Sequence, residues 1–149
     1  MASEALAPDE RRWYAASLVL ALLGIGVAGY LTIAHYNQGV LVCSPTIGNC
    51  HTVQSSVYAT VGPIPIALFG LVMYIALAAL AALRWRRPES AWPATLLAFA
   101  VAFGGVLVSA YLTYLELAVI HAICQWCVTS AALAVAVLLV EIKSLSALL

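Results

Sequence analysis

Residues 119–140 read VIHAICQWCVTSAALAVAVLLV, in which Cys124 and Cys127 stand where a long apolar run begins. No charged residue follows Cys127 as far as Val140. A helix rises 1.5 Å per residue, so about 20 such residues cross the ~30 Å of bilayer hydrocarbon. The stretch reads as a membrane helix with a dithiol at its mouth, and this reading constrains the rest of the chain.

Three more apolar runs precede it. The four together predict helices over 14–36, 64–83, 92–117 and 122–140. Of the 149 residues, 65% are hydrophobic and 8% charged, against about a quarter charged in an ordinary soluble domain. A water-facing surface cannot be built from this set, so the predicted fold is an all-α integral membrane protein, a bundle of four transmembrane helices in one domain. Formal net charge is zero, which gives no reason to expect a nucleic-acid partner; membrane lipid is the expected surrounding.

The links set the orientation. Residues 37–62 form a long polar loop, residues 84–91 (RWRRPESA) a short basic link, and residues 116–121 a barely polar one that makes the last two helices a tight hairpin. Arg11, Arg12, Arg84, Arg86, Arg87 and Lys143 all fall on the side of the two termini and the basic link. The positive-inside rule makes that side cytoplasmic. The expectation is a multi-pass protein of the cell membrane with both termini inside and the long loop outside. A cleaved signal over the first run fits poorly, because that run is long and ends in bulky residues. Gly24, Gly26 and Gly29 are expected to form a small-residue stripe for close helix packing.

All four cysteines, Cys43, Cys50, Cys124 and Cys127, then lie on or near the outer face. Outside the cytoplasm paired thiols tend to become disulfides. Three readings stay open from spacing alone. Structural bridges are one, although a CxxC loop is too short to constrain much of the unfolded chain. A zinc site is another, although six residues between Cys43 and Cys50 exceed the usual two to four. Redox chemistry is the third: a CxxC at a helix N-terminus gains thiolate character from the helix dipole. Pro45, Gly48 and Asn49 would let the loop pair bend and move toward a fixed pair, as direct thiol–disulfide exchange requires.

Taken in order, Cys43-x6-Cys50-x5-Ser56, GPIPIALFGLVMY at 62–74 and YLTYLELAVIHAICQWC at 111–127 resemble the vitamin K epoxide reductase family, in its bacterial branch. The resemblance implies a four-helix bundle around a quinone, ubiquinone or menaquinone, and no metal. It implies that electrons from an extracytoplasmic thioredoxin-like thiol oxidase reach Cys43, that Cys50 exchanges with Cys124, and that Cys127 faces the quinone. Ser56 would hold the loop over the pocket. Phe69, Met73, Glu116 and Ile120 would line it, with Ile66 and Ala131. Ile66 and Ala131 fall where the vertebrate enzyme has a polar asparagine and tyrosine, which favours plain quinone reduction over epoxide reduction. Many bacterial relatives carry a fused thioredoxin-like domain. Here the sequence stops at Leu149, so the partner is expected to be a separate polypeptide. The alternatives are a vitamin K epoxide or quinone reductase proper, and a small structural membrane protein with incidental disulfides.

Each remaining polar residue has two readings. Glu116, the acid on the outer side, is either a proton acceptor or quinone ligand, or simply solvated at the interface. His121 and His51 adjoin cysteines and are read either as proton relays or as solvated loop residues. Phe69 and Met73 form a stripe that core packing alone would also produce. Trp13, Trp85, Trp92, Tyr36 and Tyr58 fit headgroup anchors. Pro63, Pro65 and Pro93 fit helix starts, where a missing N–H costs little.

Overall fold

The computed structural model describes residues 8–43 and 48–149. Its long helices are α1 (Pro8–Tyr36), α3 (Ile66–Arg86), α4 (Ala91–Leu115) and α5 (Gln125–Leu148), with a short α2 (Cys50–Gln54) in the loop between α1 and α3. The long helices are each apolar and long enough to cross a membrane. They pack in chain order around a ring, α1 on α3, α3 on α4 and α4 on α5, with α1 against α5 closing it. The fold is an all-α four-helix bundle.

The boundaries differ from the sequence expectation at both ends of the bundle. Helix α1 begins at Pro8 and α5 runs on to Leu148, because polar residues continue a helix once its apolar part is packed. Helix α5 starts at Gln125 rather than at residue 122, with Cys124 as its extended N-cap residue. Helix α4 passes into a π-helical turn, Glu116–Ile120, which ends at His121 in the left-handed conformation with φ 57°. Such turns widen the helix by one residue and re-aim the side chains on it.

The loop folds onto one end of the bundle. Asn49 caps α2, its side chain accepting from Thr52 N at 3.1 Å. A two-stranded ribbon follows, β1 (Thr60–Val61) against β2 (Ile64–Pro65), antiparallel with Thr60 opposite Pro65. Gly62 takes the positive φ of 62° that the turn needs. Pro65 then caps α3, where its missing N–H is no loss.

Small residues dominate the middle of the core. Ala21, Ala28, Ala98 and Ala102 pack with Tyr74, Leu77 and Val137, letting the backbones approach closely. The expected glycine stripe reduces to one close contact. The Tyr74 ring lies where a Gly24 side chain would stand, whereas nothing approaches Gly26 and only the tip of Leu71 comes near Gly29. The Tyr74 hydroxyl donates to Ser130 O at 2.7 Å, tying α3 to α5.

Arg84 departs from the expected basic link. It is part of α3 rather than the basic link, and it is fully buried against Glu141. Its guanidinium reaches the Glu141 carboxylate at 2.6 and 2.9 Å, Thr95 Oγ1 at 3.3 Å and Ser17 Oγ at 3.4 Å. Ser17 also donates to Glu141 at 2.5 Å, and the Tyr14 ring lies 4.7 Å beneath the guanidinium. One cation thus links all four long helices. The cations of the flanking segments are Arg11, Arg12, Arg86, Arg87 and Lys143, with Arg11 stacked on Trp85 at 4.9 Å.

Candidate functional site

The four cysteines meet at the loop end. Cys43 and Cys50 are joined by a disulfide, with Cα atoms 6.0 Å apart. Cys124 and Cys127 are free thiols. Cys50 and Cys124 are both fully buried and belong to one cluster with Leu31, Ala34, Leu41 and Val53. Burial in a shared apolar cluster brings the second loop cysteine to the first cysteine of the CxxC pair.

Both arms of the loop are tethered. On the leading arm, Trp126 Nε1 donates to Val42 O at 2.6 Å, Tyr30 Oη donates to Val40 O at 2.8 Å, and Val42 N donates to Tyr30 Oη at 2.7 Å. The Tyr30 and Trp126 rings lie 5.0 Å apart. On the trailing arm, Asn49 N donates to Ile123 O at 2.8 Å. Gly48 passes so close to Ile123 O that a Cβ there would overlap it. The described flanks of the loop are thus hydrogen-bonded to the bundle on both sides, with Cys50 packed against it. Of the residues expected to free the loop, Pro45 lies outside the described residues, while Gly48 and Asn49 serve close approach and capping.

The CxxC pair occupies a helix start. The Cys124 thiol is lowered to about 7. The largest cause is the hydrogen bond from the Cys127 thiol; the backbone N–H groups of Cys127 and Trp126 at the start of α5 add to it, and burial and the nearby Glu116 charge oppose it. Backbone donors at a helix N-terminus favour an anion, so of the two thiols Cys124 is the one that ionises more readily.

Glu116 is buried, 4% exposed, rather than solvated at an interface. Its carboxylate accepts from Cys124 N at 3.1 Å and lies in hydrogen-bonding reach of the Cys127 thiol. The π-helical turn makes this possible by turning residue 116 back toward the start of α5. No periodicity in the sequence signals that turn.

Beneath the loop lies a cavity of about 290 Å³, walled by α1, α3, α4 and α5 and capped by α2 and the turn after it. Cys127 is in its wall; Cys124 is not. Of the residues expected to line it, Ser56, Ile66, Phe69, Met73, Glu116 and Ile120 do so. Ser56 uses its hydroxyl to donate to Val53 O at 2.8 Å, closing the end of α2. Phe69 is half exposed, so it borders both the cavity and the bundle's apolar outside. Ala131 is not among the lining residues, and Ser130 takes that place. The helix turns about 100° per residue, and with α5 starting at Gln125 the rotation that carries Cys127 into the cavity also carries residue 130, not 131. Gly70, Gly104 and Gly105 thin the wall between α3 and α4.

The sequence reading missed Gln54. It ends α2, is 6% exposed, lines the cavity, and donates from Nε2 to Cys127 Sγ at 3.7 Å. Its position four after Cys50 was the available signal, since i and i+4 share a helix face. A shallower hollow on the other side of Glu116 is lined by Cys43, Cys50, His51 and His121. Both histidines are exposed there. Among the described residues no group of three or more His, Cys, Asp or Glu could hold a metal ion.

The volume and mostly apolar wall suit a flat, lipid-soluble ring, with polar groups gathered at the Cys127 end. Four spanning helices with a disulfide and a free dithiol beside such a cavity define a class: multi-pass membrane proteins that carry paired cysteines at one end of the bundle. The chain belongs to the vitamin K epoxide reductase family, whose family model matches residues 15–142. It is accordingly a multi-pass membrane protein of an oxidoreductase family whose members in general use quinones. Among curated proteins, none matches the chain.

Proposed function

We propose that this protein is a membrane thiol:quinone oxidoreductase that reoxidises an extracytoplasmic thioredoxin-like protein and so supports disulfide formation. The observation that carries the reading is the stacking of the two cysteine pairs. The loop disulfide borders the outer hollow, Cys50 and Cys124 share a buried cluster, and Cys127 stands in the wall of an apolar cavity.

The partner's dithiol attacks the Cys43–Cys50 disulfide at Cys43, leaving the partner oxidised and the loop as two thiols. Cys50 thiolate attacks Cys124 of an oxidised Cys124–Cys127 pair, forming a Cys50–Cys124 bond and releasing Cys127. Cys43 then attacks Cys50, restoring the loop disulfide and freeing Cys124. The result is a closed loop disulfide above two free thiols, the arrangement described above. A quinone, ubiquinone or menaquinone, supplies the final oxidation by taking two electrons and two protons from the dithiol. Glu116, beside both Cys124 N–H and the Cys127 thiol, is placed to accept the Cys127 proton as the sulfur reacts. The cation distribution supports an orientation with the termini in the cytoplasm and the cysteines outside.

The test follows quinone absorbance with purified protein, a reduced thioredoxin-like donor and a soluble quinone. Cys124→Ala and Cys127→Ala should each abolish quinone reduction. Cys43→Ala should block the protein donor while a small dithiol still feeds the CxxC pair. Donor oxidation at the wild-type rate in Cys43→Ala would overturn the relay order, and cysteines mapped to the cytoplasmic side would overturn the function.

A further inference from the structure

A quinone ring offers two carbonyl acceptors and no donors, so a cavity that holds it beside a reacting sulfur needs a donor there. The donors in the cavity wall are Gln54 and the hydroxyls of Ser56, Tyr58, Ser109, Thr113 and Ser130, so what selects among them is nearness to Cys127. The Ser56 hydroxyl proton goes to Val53 O, and Ser130 is engaged by Tyr74 Oη at 3.1 Å. Gln54 differs from both. Its amide is buried, lines the cavity and makes one hydrogen bond among the described residues, the Nε2 contact to Cys127 Sγ. A primary amide carries two N–H donors and a carbonyl acceptor, and buried polar groups are almost always satisfied. Here one N–H and the carbonyl remain, in a cavity wall, next to the sulfur that must meet the ring.

Resting on the function proposed above, we propose that Gln54 binds the quinone, donating its second N–H to the ring carbonyl nearest Cys127. The amide keeps its proton throughout; the two electrons and two protons of the reduction come from the Cys124–Cys127 dithiol, which becomes the disulfide as the quinone becomes quinol. A fixed donor at the oxygen where negative charge grows favours the transfer, and the bond to Cys127 Sγ holds ring and sulfur in one geometry. The donor comes from the loop helix, which Cys50 opens, and not from the transmembrane bundle.

The test uses purified full chain with a short-chain ubiquinone labelled with 13C at its carbonyls. Two readouts are taken: the dissociation constant by equilibrium binding, and the carbonyl stretch of the bound quinone by difference infrared spectroscopy. In the wild type, one carbonyl band should lie below its position in an apolar solvent. Gln54→Met, which keeps length and loses the donor, should return that band to the solvent position and weaken binding on the order of 5- to 100-fold. The Cys43–Cys50 disulfide, checked by mass spectrometry, should stay intact. Wild-type binding retained in Gln54→Met overturns the assignment. So does a wild-type spectrum with both carbonyls free, a result that does not depend on how the variant folds. A wild type that binds no quinone at all brings down the functional reading itself, an outcome distinguishable from quinone bound without the amide.

Discussion

Cys124 shows how much one atom's surroundings decide. Its sulfur is fully buried, which by itself would hold the proton on. Thiol and backbone donors at the start of α5 outweigh that burial and bring it to about 7. Because the pKa is lowered, the reactive thiolate fills in as pH rises through about 7 and stays present above it. Alkylation by a small methanethiosulfonate, read by mass spectrometry of the labelled peptide, should rise through that range and level off. Cys127→Ala removes the largest cause, so the inflection should move up toward the ordinary thiol value of about 8.5. An inflection that stays near 7 in the variant would show that the helix start alone does the work.

The short α2 and the segment before Cys124 act as a matched pair. Asn49 N to Ile123 O is a single backbone bond, yet it sets where α2 begins and therefore where Cys50 sits. Gly48 is required by the closeness of Ile123 O, since any side chain there meets a backbone atom that cannot turn away. Gly48→Ala should push the arm outward and separate Cys50 from Cys124. In a Cys43→Ala/Cys127→Ala background the remaining two cysteines should trap as a Cys50–Cys124 disulfide. Adding Gly48→Ala should cut the trapped fraction several-fold, measured by mass spectrometry. An unchanged yield would mean that burial in the shared cluster, not the backbone bond, holds Cys50 in place.

Across the bundle, the cysteine cluster and the buried ion pair sit at opposite ends. The loop end carries the cysteines, Gln54 and Glu116; the other end carries the Arg84–Glu141 pair with Ser17, Thr95 and Tyr14. Removing one member of a buried pair leaves an uncompensated charge, at a cost of about 3–5 kcal/mol. Arg84→Met should lower stability by that amount. The double variant Arg84→Met/Glu141→Leu should recover most of it, because an apolar replacement of both partners strands no charge. Denaturant unfolding in detergent would measure both. A double variant as unstable as the single would assign the loss to the Ser17 and Thr95 bonds.

Apolar run length, the clustering of cations at the link and termini, and the order of the cysteine motifs are properties of consecutive residues. They give the membrane class, the four helices and the family, because lipid leaves the backbone few alternatives to a helix. Helix rotation and contacts between distant segments are not local. Arg84 reads as a link cation until α3 is seen to turn it toward Glu141, and Glu116 keeps both its functional and its interfacial reading until a π-helical turn folds it under Cys124. Ala131 and Ser130 exchange roles on a rotation of one residue, and Gln54 becomes visible only when α2 lies over the cavity. Each depends on where a side chain points after the helices have packed, a choice fixed by the energy of the whole bundle and not by any stretch of the chain alone.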